Sequence, residues 1–292
     1  MNKIRFAVIA LLFVGFVWGA AFVLMKDAIR EQPYMDFLAT RFTVAALAML
    51  LLRPIVATKF QAGDVKYGAV AGVVLAFAYI TQTIGLELTT AAMSGFLTGL
   101  YVVMTPLFAW LLLKQKISLK IALGAMLGAI GLGVLSGAAQ SIEFQTGQLW
   151  LIVCAVLYAA HILILGKYGQ GRDSYRFAML QIAFVALVTW GFAVVDGYQA
   201  PPNFGVWFAI LFTALLSTVF AFWVQTWAQT IIEPSRVALL ITSEVVFTAA
   251  IAVGVGQEPL TATMVIGGSI MLAAMLLVEW PNSKTKTEKQ LL

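Results

Sequence analysis

Uninterrupted apolar runs of bilayer length dominate this chain. Residues 7–25, 91–113 and 206–228 contain no charged side chain, and each run approaches or exceeds the roughly 20 residues that a helix needs to cross a hydrocarbon core. Such runs restrict the fold severely, because a backbone in lipid must satisfy its own hydrogen bonds as a helix or a closed barrel. Barrel strands alternate apolar and polar residues, and these runs do not. Charged residues make up 11% of the 292 positions, against about a quarter in soluble domains. The chain reads as an all-α integral membrane protein.

Ten transmembrane helices are predicted, at residues 7–25, 37–52, 67–86, 91–113, 119–135, 147–165, 177–195, 206–228, 235–255 and 262–279. With the N-terminus in the cytoplasm, fifteen of the 18 Lys and Arg residues fall on the cytoplasmic side. Lys26 and Arg30 fall outside, and Arg41 lies within a span. That asymmetry follows the positive-inside rule and puts both termini in the cytoplasm. It also accounts for the net charge of +5 without a nucleic-acid partner. A signal peptide would suit the opening residues, but the apolar run continues past Ala21 to Met25, so it is read as a retained first span. The only cysteine, Cys154, is mid-span, which rules out an intramolecular disulfide.

The spans repeat. An offset of 140 residues sets Trp18-Gly19-Ala20-Ala21-Phe22 over Tyr158-Ala159-Ala160-His161-Ile162 and carries Arg41 onto Gln181. An offset of 143 sets Phe77-Ala78 over Phe220-Ala221, Gln82-Thr83 over Gln225-Thr226, and Phe96-Leu97 over Leu239-Leu240. Residues 1–135 and 147–280 are therefore read as two five-span repeats, joined by a linker at 136–146 and followed by a cytoplasmic tail at 281–292. Five is odd, so the second repeat enters the membrane from the opposite side. Inverted repeats give alternating access a structural basis, since the halves can exchange conformations about a site on their pseudo-two-fold axis.

Gly15/Gly19, Gly68/Gly72, Gly95/Gly99 and Gly124/Gly128 each place two glycines one turn apart, and are read as close helix contacts within the chain. The short connections at 114–118 and 256–260 require spans four and five, and nine and ten, to be antiparallel hairpins. Pro106 lies inside span four, where it can bend the helix.

Several of these stretches resemble the drug/metabolite transporter superfamily, in particular its EamA-type family. They are Phe13-Val14-Gly15-Phe16-Val17-Trp18-Gly19 in span one, Arg41-Phe42 in span two, and Gly95-Phe96-Leu97-Thr98-Gly99-Leu100-Tyr101 with Thr105-Pro106-Leu107 in span four. The family's half-closing pattern of a leucine run, Gly-Glu, a basic residue, a hydrophobic residue and Ser/Thr is altered here. Lys114-Gln115 stands in the first half where Gly-Glu is usual, and the second reads Gly256-Gln257-Glu258. The resemblance covers nearly the whole chain. It implies a ten-span secondary carrier of the bacterial inner membrane, in most cases an exporter of amino acids, related metabolites or drugs. It implies no cofactor and no enzymatic activity.

Polar residues at mid-span cost about 2.5–3.5 kcal/mol for a charge at the helix centre, so each needs a partner or a wet cavity. Glu244, ten residues into span nine, is the sharpest of them. A carboxylate there can exchange a proton with alternating sides of the membrane or bind a substrate ammonium; otherwise it is the ion-pair partner of Arg41. Arg41 is read as lying near the outer end of span two, where its long side chain can snorkel, with a carboxylate-binding role if it faces a cavity. His161, the only histidine, shares a face with Tyr158 and can relay protons or simply pack; no metal site is expected around it. Tyr79 and Gln82 mirror Phe222 and Gln225, an aromatic-plus-amide face suited to a zwitterionic or aromatic solute. Tyr101, the repeat mate of Glu244, joins them. Trp18 is placed in the cavity and Trp110 in the interfacial belt, with Trp223 and Trp227 assigned to neither.

Taken together, the residues point to a secondary transporter of a small organic solute with access to protons. Its cavity is expected between spans one, three, four, six, eight and nine. An uncoupled facilitator or an importer fits the same sequence. An integral enzyme acting on lipid-linked substrates fits less well, because no HExxH, paired histidines or acidic dyad is present. ATP-driven pumping has no phosphate-binding loop to support it.

Overall fold

The apolar runs become helices, and their polar flanks mark where the helices stop. The computed structural model describes residues 3–57, 60–89, 91–135, 146–195, 197–257 and 259–280. The linker at 136–145 and the tail at 281–292 lie outside these residues, so the expectations for them are not addressed. All regular structure among the described residues is helical. The elements are α1 (Lys3–Glu31), α2 (Tyr34–Leu52), α3 (Asp64–Leu88), α4 (Ala91–Gly99), α5 (Tyr101–Leu113), α6 (Leu119–Leu135) and α7 (Thr146–Tyr168). They continue with α8 (Ser174–Ala193), α9 (Phe204–Ala214), α10 (Ala221–Ala228), α11 (Pro234–Ile241), α12 (Ser243–Gly254) and α13 (Ala262–Glu279). A 3₁₀ turn (Pro54–Ala57) follows α2, and a π-helical segment (Leu215–Phe220) joins α9 to α10.

Counting α4–α5, α9–α10 and α11–α12 as one crossing each, nine described helices are long and apolar enough to cross a membrane. The 17-residue α6 is a shorter apolar helix. Side-chain caps start several of them at the predicted polar boundaries. Asp173 Oδ1 accepts from Arg176 N at 2.9 Å, Asn203 Oδ1 from Val206 N at 3.0 Å, and Thr261 Oγ1 from Met264 N at 3.2 Å. Lys114, where the family pattern has glycine, closes α5 in the left-handed region with φ 53°.

Spans four and nine differ from the single helices expected. Each is interrupted at nearly the same point of its repeat, span four at Leu100 and span nine at Thr242, one residue before the repeat mate of Leu100. The break in span four is not at Pro106, which lies inside α5. Locally the helix tightens to i→i+3 bonds, Leu100 N to Leu97 O at 3.3 Å and Val245 N to Thr242 O at 3.1 Å. At the second break the Thr242 hydroxyl also bonds back to Ala238 O at 2.7 Å, a bond that commonly bends a helix.

The two halves interlock. Helix α1 packs on α12, α7 on α4 and α5, α3 on α8, α2 on α9, and α6 on α13. The glycine pairs are contacts within the chain: Gly15 and Gly19 bring α1 against the side chain of Ser243 and the backbone of Glu244 and Thr248, and Gly72 lies against Gln181 and Phe184.

Polar clusters close the bundle at both ends of α2, and both join one half to the other. At the Arg53 end, Arg53 pairs with Asp173 at 3.1 Å, and buried Asp64 receives Arg172 Nε at 3.1 Å and Arg176 Nη1 at 3.2 Å. At the Asp36 end the bonds run mainly through backbone. Gln199 N donates to Asp36 Oδ2 at 2.9 Å, Gln32 Nε2 donates to Gln199 O at 2.9 Å, and the Thr40 and Tyr198 hydroxyls meet at 2.8 Å.

Candidate functional site

Between these two ends lies a cavity on which the sequence-predicted residues converge. Trp18, Arg41, Tyr79, Gln82, Tyr101, Tyr158, His161, Gln225 and Glu244 all line it. Its walls come from spans one, three, four, six, eight and nine, and also from span two through Arg41, which the expected lining left out. Repeat mates line it together. At the 140-residue offset these are Trp18/Tyr158, Ala21/His161 and Phe22/Ile162; at 143 they are Tyr79/Phe222, Gln82/Gln225, Thr98/Ile241 and Tyr101/Glu244. Only Met25, Arg41 and Ser217 line it without a mate.

Arg41 does not snorkel. Its side chain is among the largest fully buried ones, and the residue is 2% exposed, because α2 turns it inward against the π-helical part of span eight. Its Nε donates to Thr218 Oγ1 at 3.1 Å, and its Nη2 to Ser217 Oγ at 3.2 Å and Tyr79 OH at 3.4 Å. The guanidinium lies 4.9 Å from the Tyr79 ring centroid and 5.2 Å from that of Phe42, within cation–π range.

Glu244 occupies the first turn of α12, just past the break in span nine, and is 9% exposed. Among the described residues its carboxylate has no hydrogen-bond or ion-pair partner. The alternative of an Arg41–Glu244 ion pair is thus not realised in this conformation. The two opposite charges face one cavity separately.

Aromatic rings fill much of the remaining wall. Tyr79 meets Tyr158 edge-on at 5.8 Å and Phe222 at 6.2 Å, and Trp18 packs on Phe222 at 5.5 Å. Tyr158 OH donates to Gln82 Oε1 at 3.1 Å. Tyr101 OH and Gln225 Oε1 are buried without a hydrogen-bond partner, a costly condition unless water or a solute supplies one. The cavity has a volume of about 40 Å³. In this conformation the cavity is narrow.

His161 is 1% exposed and tied into the protein. Its Nε2 lies 2.7 Å from Gln181 Oε1, and Gln181 Nε2 donates to Thr226 Oγ1 at 3.1 Å. Gln181 and Thr226 were not anticipated as its partners, although Gln181 is the repeat mate of Arg41. Ser217 and Thr218 were missed as well; mid-span hydroxyls commonly bond their own helix, and nothing in their spacing marks them as partners of an arginine. Cys154, fully buried, lies 3.9 Å from the hydroxyl of Thr98. Trp110 and Trp223 are exposed on the apolar surface rather than in the cavity.

Comparison with known proteins identifies the family. The model of the EamA-like transporter family matches twice, over residues 5–137 and 145–280. An uncharacterized transporter of Archaeoglobus fulgidus is 29% identical over 276 residues, covering 94% of this chain and 86% of its own. The uncharacterized transporter YvbV of Bacillus subtilis is 25% identical over 301 residues, covering 99% and 95%. A crystal structure with 16% identity superposes with a TM-score of 0.79 over 94% of this chain and 98% of that one, a likeness of fold.

Proposed function

Because the chain belongs to the EamA-like transporter family, we propose that it is a secondary transporter that carries a small zwitterionic solute, such as an amino acid or a related metabolite, by alternating access. The observation that carries this reading is the separate placement of Arg41 and Glu244 on one cavity. An unpaired cation and an unpaired carboxylate suit the carboxylate and ammonium of one molecule, while the surrounding rings supply apolar contact. Two inverted repeats of five spans, at 1–135 and 147–280, would place this cavity on their axis, and its lining by seven pairs of repeat mates supports that arrangement. The distribution of Lys and Arg supports an inner-membrane protein with both termini cytoplasmic, and the family's habit favours export.

Glu244 is assigned the coupling or ammonium-binding role and Arg41 the anion-binding role. Tyr79, Gln82, Tyr101, Tyr158 and Gln225 orient the solute, with Trp18 as wall and His161 as a candidate proton relay. Uptake and counterflow of labelled amino acids into proteoliposomes, with and without an imposed pH gradient, test the reading. Flux is expected to follow the gradient, and Glu244→Gln is expected to remove that dependence. If Glu244→Gln keeps both flux and its pH response, the coupling role fails. Counterflow that ignores pH in the wild type identifies a facilitator instead.

A further inference from the structure

Among the described residues Arg41 is a buried cation without an anion, and the segment facing it shows how it is held. Span eight passes through a π-helical segment at Leu215–Phe220, whereas the repeat-related residues 72–77 of span three are ordinary α-helix. The Thr218 hydroxyl follows the π register. It donates five residues back, to Thr213 O at 2.8 Å, where Thr83 and Thr105 in α-helix bond four residues back. A hydroxyl carries one proton. With that proton committed to Thr213, Thr218 Oγ1 can only accept from Arg41 Nε.

Ser217 completes the arrangement. Its Oγ accepts from Arg41 Nη2, and its backbone carbonyl accepts from the Trp18 indole at 2.8 Å. Nε and Nη2 share one edge of the guanidinium plane, so two successive hydroxyls occupy the edge that a carboxylate would otherwise take side-on. Both are neutral, so they orient the cation without cancelling its charge. The edge formed by Nη1 and Nη2 meets only the Met25 sulfur at 3.8 Å and the Tyr79 hydroxyl at 3.4 Å, and both of those residues line the cavity.

We propose that Ser217 and Thr218 are positioning residues, which use the π register of span eight to aim the other edge of Arg41, the one beside Met25 and Tyr79, at the anionic group of the solute. The inference rests on the reading of Arg41 as the anion-binding group. It assigns selectivity for a negatively charged group to a short segment of which Ser217 lines the cavity and Thr218 acts only through Arg41.

The test is counterflow in proteoliposomes with a panel of labelled amino acids, each competed by itself and by the amine that lacks only its carboxylate. Wild type is expected to prefer the acids. Thr218→Val is expected to raise KM for the acid roughly tenfold, the loss of one hydrogen bond to a charged group, with kcat much less affected and the acid-over-amine preference diminished. Thr218→Ser, which keeps the acceptor, is expected to restore the preference. Should Thr218→Val fail to fold, Ser217→Ala is held to the same comparison. An unchanged preference in these variants, while Arg41→Met abolishes it, overturns this proposal alone. A wild type that does not distinguish acid from amine overturns it together with the reading of Arg41.

Discussion

Gly19 sets how closely span one approaches Glu244. A Cβ there would meet Thr248 N at 2.8 Å and Glu244 O at 3.0 Å, backbone atoms of α12 that cannot swing aside. Gly19→Ala is expected to cost about 1–3 kcal/mol by overpacking, read as a lower melting temperature in detergent, and to reduce transport by shifting Glu244. Gly254→Ala is the control, since nothing lies within 4 Å of its Cβ position. At this scale, the sequence exposes charges and hides bonds. Arg41 and Glu244 stand out because ionisable residues are rare in apolar spans. The partners of Arg41 were not legible, because whether Ser217 and Thr218 accept from a neighbour or bond only their own helix depends on a π turn that no residue type announces.

Among the elements, the two ends of α2 are closed by different chemistry. Asp64 is buried between Arg172 and Arg176, whose side chains are 18% and 10% exposed. Asp64→Asn leaves two cations facing a neutral amide, and its expected cost is about 3 kcal/mol, the low end for breaking a buried pair because the arginines keep some contact with water. Thermal unfolding, and faster hydrogen exchange at the start of α3, would show it. Asp36→Asn retains an oxygen for the Gln199 N–H and is expected to cost about 1 kcal/mol. The ends of α2, α3 and α8 fall within three residues of the spans predicted from the apolar runs. The interruptions at Leu100 and Thr242 were not legible, since the apolar pattern runs through both and Pro106 pointed to a bend one to two turns from the actual break.

At the scale of the whole molecule, the helical class was legible from apolar run length, because lipid leaves so few alternatives, and the family from the stretches of spans one, two and four that resemble it. The separation of Arg41 from Glu244 was not, since spacing along two distant spans says nothing about the gap between their side chains. A cavity this narrow is expected to widen by movement of the helices when a solute of amino-acid size binds. A solute that binds this chain is expected to stabilise it by about 2.7 kcal/mol at a hundredfold excess over Kd, measured as a rise in melting temperature that Arg41→Met diminishes. Cys154 adds a practical consequence to that mobility. It is the chain's only thiol and fully buried, so the natural protein should be nearly silent to maleimides and spin labels. Cysteines placed at either end of the bundle can then report which side is open, without first stripping a native residue from the wall behind Thr98.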